Sequence, residues 1–199
     1  MLNVKPQDTR LLQQGFTLLE TLIALSISSL VCLAIVQTYP MFVANISQYF
    51  IHYQIDRDAK RVLLNIEKDF RRIGYCLGGK CVGEAITLGA KQGEAQHSCI
   101  LFAYDQDNSG LWAKPNKQHS NYFAYRLNNH RLESARGADS CNIDMWASLF
   151  DPLLINVQRF TLDWQPTSRL LHLNISLVSV RFPTKSFDYQ ISIFLRNQP

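Results

Sequence analysis

Charge is scarce in this chain. Asp, Glu, Lys and Arg make up 18% of its 199 residues, and the formal balance is only +4. The basic residues are scattered among acidic ones, with no stripe and no binding motif, so no nucleic-acid partner is expected. So little charge beside 47% hydrophobic residues also excludes a disordered polar chain. The length fits one ordinary domain plus an appendage. Signatures of common enzyme chemistries are missing too. There is no Gly-x-Ser-x-Gly elbow, phosphate-binding loop, Rossmann glycine pattern or His-Glu-x-x-His. His52, His97, His119, His130 and His172 are dispersed at no ligand spacing. Ser140-Cys141 has no visible base beside it, so Cys141 reads as structural. The expectation is a protein that is not an enzyme, without internal repeats or low-complexity tracts.

The apolar residues are unevenly spread. Residues 16–36, FTLLETLIALSISSLVCLAIV, form an almost uninterrupted run. As a helix it is long enough to cross the ~30 Å hydrocarbon core of a bilayer. Lys5 and Arg10 outweigh Asp8 ahead of it, which predicts that residues 1–15 stay in the cytoplasm and the remainder lies outside. The run is longer than the core of a secretory signal, and no small-x-small cleavage site follows it. Val31, rather than a small residue, precedes Cys32, which argues against a lipoprotein signal. A plain membrane anchor does not account for Glu20. A carboxylate inside a spanning segment costs up to about 2.5–3.5 kcal/mol at mid-bilayer, and such groups mark function and have a partner.

Five cysteines occur. Cys32 sits alone in the apolar run and reads as a small apolar residue at a helix–helix contact. Cys76, Cys81, Cys99 and Cys141 are an even set, which suits disulfides in an oxidising compartment. Zinc is the competing reading, but C-x4-C is a loose spacing and Cys99 and Cys141 make no second tight pair. Four cysteines allow three pairings. Loop closure favours Cys76–Cys81, leaving Cys99–Cys141, and geometry is able to overrule it.

The segment GFTLLETLIAL, residues 15–25, resembles the type III signal of type IV prepilins and pseudopilins. The resemblance implies that prepilin peptidase cuts after Gly15 on the cytoplasmic side and methylates the new N-terminus at Phe16. It places Glu20 fifth in the mature chain, at the family's glutamate. That carboxylate is expected to pair with the terminal amine of a neighbouring subunit, so that an unpaired charge penalises a wrong axial offset. Two local readings stand beside it: pairing with its own amine, and a capping role in the first helical turn.

Pro40 is expected to kink or locally open the helix, and pilins commonly have a proline near this depth. Ile55, Ala59, Val62, Ile66, Phe70 and Ile73 then follow 3- and 4-residue steps, the apolar stripe of a helix packed on a sheet. Charges cover its other face, and Gly74 is expected to end it. Strands are expected near 85–88, at 99–104, and at 122–127 and 130–134 around an Asn128-Asn129 turn. The strongest strands are 155–164, 170–182 and 187–195, where Leu171, Leu173, Ile175 and Leu177 alternate. The expected fold class is α+β, the type IV pilin fold: a long N-terminal helix laid on a C-terminal antiparallel sheet. Its parts are a leader (1–15), a membrane-spanning and filament-core helix (16–40), an amphipathic helix (41–74) and a disulfide-bonded β head (75–199).

RRIGYCLGGKCVGE, YDQDNSGLW, and LESARGADSC through Trp146 resemble one subgroup, the prepilin peptidase-dependent B minor pilins. That group sits with the W-type minor pilins and the J pseudopilins of type II secretion. The resemblance runs from residue 15 to about 164 and weakens over the last strands. It implies a low-copy subunit that joins other minor pilins or pseudopilins in the inner membrane, in an initiation complex that primes assembly of the major pilin. The chain then passes into a pilus or pseudopilus, at its tip or base. Glu20 argues against the one pseudopilin type that lacks this glutamate. A J-type pseudopilin and a tip adhesin or DNA-uptake subunit are the alternative functions.

One cofactor is weighed. Asp105, Asp107 and Ser109, with Gly110 at the sixth position, resemble the opening of a calcium-binding EF-hand loop, but Asn116 stands where the bidentate Glu belongs. The competing reading is a polar turn after a strand. Trp112, Trp146 and Trp164 are expected to be core or interface anchors.

Overall fold

The computed structural model describes residues 15–79, 81–113 and 119–197. Residues 1–14 of the expected leader, and Asn116, lie outside them. The chain divides into two compact units, residues 1–47 and 48–199.

The first unit contains the opening of a single long helix, α1 (Leu18–Phe70). Every described residue from Gly15 to Ile46 is exposed. Helical structure continues through Pro40, so the expected opening there is not observed. The missing proline N–H removes one rung of the ladder without ending it.

In the second unit the same helix turns amphipathic. Ile55, Ala59, Val62, Leu63, Ile66 and Phe70 are buried, as the 3- and 4-residue spacing requires. The α-helix stops at Phe70 rather than running to Gly74. Residues 71–74 form a turn that leads Gly74 (φ +82°) out of the helix, and Ile73 remains buried within it.

The β-structure forms two sheets, not the single sheet expected. The first has five antiparallel strands in sequence order: β1 (Ile86–Gly89), β2 (Cys99–Ala103), β3 (Tyr122–Asn128), β4 (Arg131–Arg136) and β5 (Ala147–Ser148). The second is the meander β6 (Ile155–Gln165), β7 (Leu170–Ser179) and β8 (Ser186–Phe194). Backbone bonds stitch the two along β6: the Val157 and Leu162 N–H groups donate to the His130 and His97 carbonyls, at 2.9 and 3.0 Å. Residues of α1 and of both sheets share one core. Phe70 meets Phe102 and Tyr125 edge-on, while His52 meets Phe187 and Asp56 accepts the Tyr189 hydroxyl at 2.7 Å.

Two local features correct the expected strands. The β3–β4 turn is Asn129-His130, one residue later than expected. Asn128 pairs with Arg131, and both turn residues have positive φ, the requirement of a tight primed turn. Pairing around Asn128-Asn129 would have set Arg126 opposite Arg131, a like-charge clash. The observed register sets it opposite Glu133. In β6, a bulge between Val157 and Arg159 inserts one residue. That shift keeps Ile155 and Val157, then Phe160 and Leu162, all buried, although their spacing breaks strict alternation.

Candidate functional site

The first candidate is the junction at the head of α1. Gly15, Phe16 and Thr17 are not helical. Thr17 is the N-cap: its carbonyl accepts the first helical bond, from Thr21 N–H at 3.2 Å. Its hydroxyl accepts from Glu20 N–H at 3.3 Å. Thr17 and Glu20 therefore hold the ends of a T-x-x-E box. The Glu20 carboxylate is exposed and has no partner among the described residues. A methyl group added at Gly15 would touch nothing among the described residues, so none of their packing requires glycine there.

Beyond Glu20 the helix is suited to an apolar surrounding. The hydroxyls of Thr21, Ser26, Ser28, Ser29 and Thr38 each donate to a carbonyl three or four residues earlier, at 2.8–3.0 Å. Those five hydroxyls are then satisfied by the helix itself, which is what a lipid-facing helix needs. This is a helix long and apolar enough to span a membrane, and none of its most apolar window is buried within the chain. It anchors the protein. Cys32 is free and exposed, so none of the described residues covers it.

In the head, Cys76 is bonded to Cys81 and Cys99 to Cys141. The Cys76 and Cys81 sulfurs and the Asp105 carboxylate lie within 4.8 Å of one another. A zinc ion needs thiolates, and these two sulfurs are joined to each other. The loop considered for calcium is built around hydrogen-bond donors instead. Asp105 is buried and accepts from the N–H groups of Gly110 (2.9 Å), Ser109 (3.0 Å) and Leu77 (3.2 Å). Asp107 accepts from the Ser109 hydroxyl and the Asn121 amide, each at 3.1 Å. The Asn121 bond first, and the Asp107 backbone N–H second, hold that carboxyl below its ordinary range. The oxygens that would face a cation are thus turned toward N–H and O–H hydrogens. The three residues come together in a polar turn whose carboxylates accept hydrogen bonds from N–H and O–H groups. Trp112 Nε1 donates to the Tyr75 carbonyl at 3.1 Å, tying that turn to the end of α1.

A second cluster joins Cys141 and Trp146, both expected to be structural, to a pair that the sequence reading did not single out, Arg126 and Glu133. Arg126 and Glu133, both buried, are 2.8 Å apart. Arg126 Nη1 also donates to the carbonyls of Cys141 (2.6 Å) and Ile143 (3.2 Å). The Trp146 ring lies over its guanidinium at 4.0 Å. With the Cys99–Cys141 bond, this pins residues 141–146 to the first sheet. Opposite charges at mirrored places in a hairpin were the available signal.

The head motifs therefore map onto two structural clamps, and among the described residues neither leaves a reactive group. Trp164, half-buried, packs against the core.

Comparison with known proteins agrees with this division. The family described as prepilin peptidase-dependent protein B matches residues 48–195, reaching through β8 and past the point where the motif resemblance faded. The prokaryotic N-terminal methylation motif matches residues 10–36. A relative from Escherichia coli (strain K12), named prepilin peptidase-dependent protein B, is 29% identical over 156 residues, 78% of this chain and 80% of the relative. No solved structure matches.

Proposed function

The chain belongs to the prepilin peptidase-dependent protein B family, and from that premise we propose that it is a minor pilin that helps initiate assembly of a type IV pilus. Its leader is removed after Gly15, Phe16 becomes the methylated N-terminus, and the head stands outside the inner membrane. Glu20 then pairs with the terminal amine of a neighbouring subunit, another minor pilin or the major pilin. One observation carries this reading: an exposed apolar stretch of helix, residues 18–46, whose one charge is a carboxylate without a partner among the described residues, fifth after the proposed cut. Lipid leaves that charge unmatched, whereas a neighbour's amine both neutralises it and fixes the axial offset.

Mass spectrometry of protein from cells with a working peptidase tests it. The expected product begins at N-methylated Phe16, and an intact precursor would overturn the reading. Gly15→Leu should block processing. Since nothing among the described residues touches that position, such a block would report the peptidase's own pocket. Glu20→Ala should be processed normally yet co-purify poorly with the other prepilins. If it assembled like the parent, charge pairing would be wrong.

A further inference from the structure

We propose that Thr17 is a positioning residue for leader removal: its hydroxyl fixes where α1 begins and thereby holds the Gly15–Phe16 bond in open chain. The inference rests on the cleavage reading above.

Its basis is a competition for one N–H group. Were the helix one residue longer at its start, Glu20 N–H would donate to the Phe16 carbonyl. One residue longer again, and Leu19 N–H would donate to the Gly15 carbonyl. In the structure Glu20 N–H is taken by Thr17 Oγ1 at 3.3 Å, and the first helical acceptor is the Thr17 carbonyl. The helix therefore starts at Leu18, and both reacting atoms lie outside its ladder. Little else stops it growing backwards: Leu11-Leu12-Gln13-Gln14 are good helix formers, and Gly15 alone opposes them.

The consequence is chemical. In cleavage, water adds to the Gly15 carbonyl carbon, the C–N bond to Phe16 breaks, and the departing amine takes up a proton. A carbonyl bonded within a helix is walled in by the turn above it and does not meet an incoming nucleophile. The same freedom leaves the Phe16 nitrogen open to methyl transfer afterwards. Thr17 touches neither reacting atom; it acts by deciding which residues are helical.

Initial rates of leader loss test this, using full-length precursor in membranes with active prepilin peptidase. Thr17→Ala removes the cap and supplies the strongest helix former. It should slow cleavage about fivefold, the factor that an ordinary N-cap represents. Thr17→Val keeps the shape without the acceptor and should also be slow. Thr17→Ser and Thr17→Asn restore a cap and should restore the rate, although Asn differs most in shape. The carbonyl carbon-13 shifts of Gly15 and Phe16 should move toward helical values in the Ala variant and stay put in the Ser variant. Ala and Val variants cut at the parental rate would overturn the proposal. So would an Asn variant as slow as Val, which would mean that the peptidase reads side-chain shape. If the parent itself is not cut after Gly15, the cleavage reading fails and this inference falls with it.

Discussion

The two halves of α1 belong to one unbroken helix and obey different rules. From Leu18 to Ile46 no side chain is buried, and the hydroxyls of Thr21, Ser26, Ser28, Ser29 and Thr38 close on the helix itself. Past residue 48 the helix buries six apolar side chains against two sheets, and the five larger than Ala59 each contribute about 1.5–3 kcal/mol relative to exposure. The first half is thus incomplete as it stands, since lipid or another helix must cover it. The second is satisfied within the chain. Stability and assembly should separate along that line.

The largest effect should come from setting the halves against each other by truncation. Phe70→Ala empties a fully buried site between Phe102 and Tyr125 and should cost the head about 3–5 kcal/mol. Leu30→Ala, in the exposed half, should leave denaturant unfolding of the head unchanged while weakening co-purification with other prepilins. If Leu30→Ala destabilised the head, the division would be wrong.

Next come the disulfides, which sharpen the comparison inside the head. Cys99–Cys141 spans 42 residues, and chain entropy puts its contribution at about 4 kcal/mol. Cys76–Cys81 spans 5 and is expected to contribute about 2 kcal/mol. Paired Cys→Ser variants, followed by thermal melting, should keep that order. Losing Cys141 also frees residues held by Arg126, so its cost should exceed the entropic figure. Equal losses from the two bonds would show that the Arg126 clamp holds the segment unaided.

The sequence made the first half of α1 legible because its signal is local: a long apolar run, one charge, one glycine. The amphipathic stripe from Ile55 to Phe70 and the meander β6–β8 were legible through periodicity. What escaped depends on contacts distant in sequence. Two sheets were merged into one, since strand spacing says nothing about which edges join. The hairpin was set one residue early because asparagine tolerates positive φ at either place, while the deciding fact was Arg126 facing Glu133. The hydrogen bonds that reach Asp105 from Leu77, Ser109 and Gly110 were also illegible, because one of those donors lies 28 residues away.

The smallest expected effect asks whether polar contacts, as well as apolar ones, hold the second half of α1. Tyr125 donates to Asp69 at 2.6 Å, and Tyr104 reaches the same carboxylate at 3.4 Å. Burial first, and the Asp69 charge second, push the Tyr125 hydroxyl well above its ordinary range. A group whose pKa rises on folding contributes fully below its unfolded value, here about 10, and loses that contribution as pH rises beyond it. The head should therefore weaken progressively above about pH 10. Tyr125→Phe should cost about 1.5–3 kcal/mol at neutral pH, the worth of a hydrogen bond to a charged group, and should flatten that alkaline decline. Tyr104 and Tyr189, whose hydroxyls are also pushed up, keep the slope from vanishing. A variant with an unchanged alkaline slope would mean that Tyr125 gives up its proton no later in the folded head than in the unfolded chain.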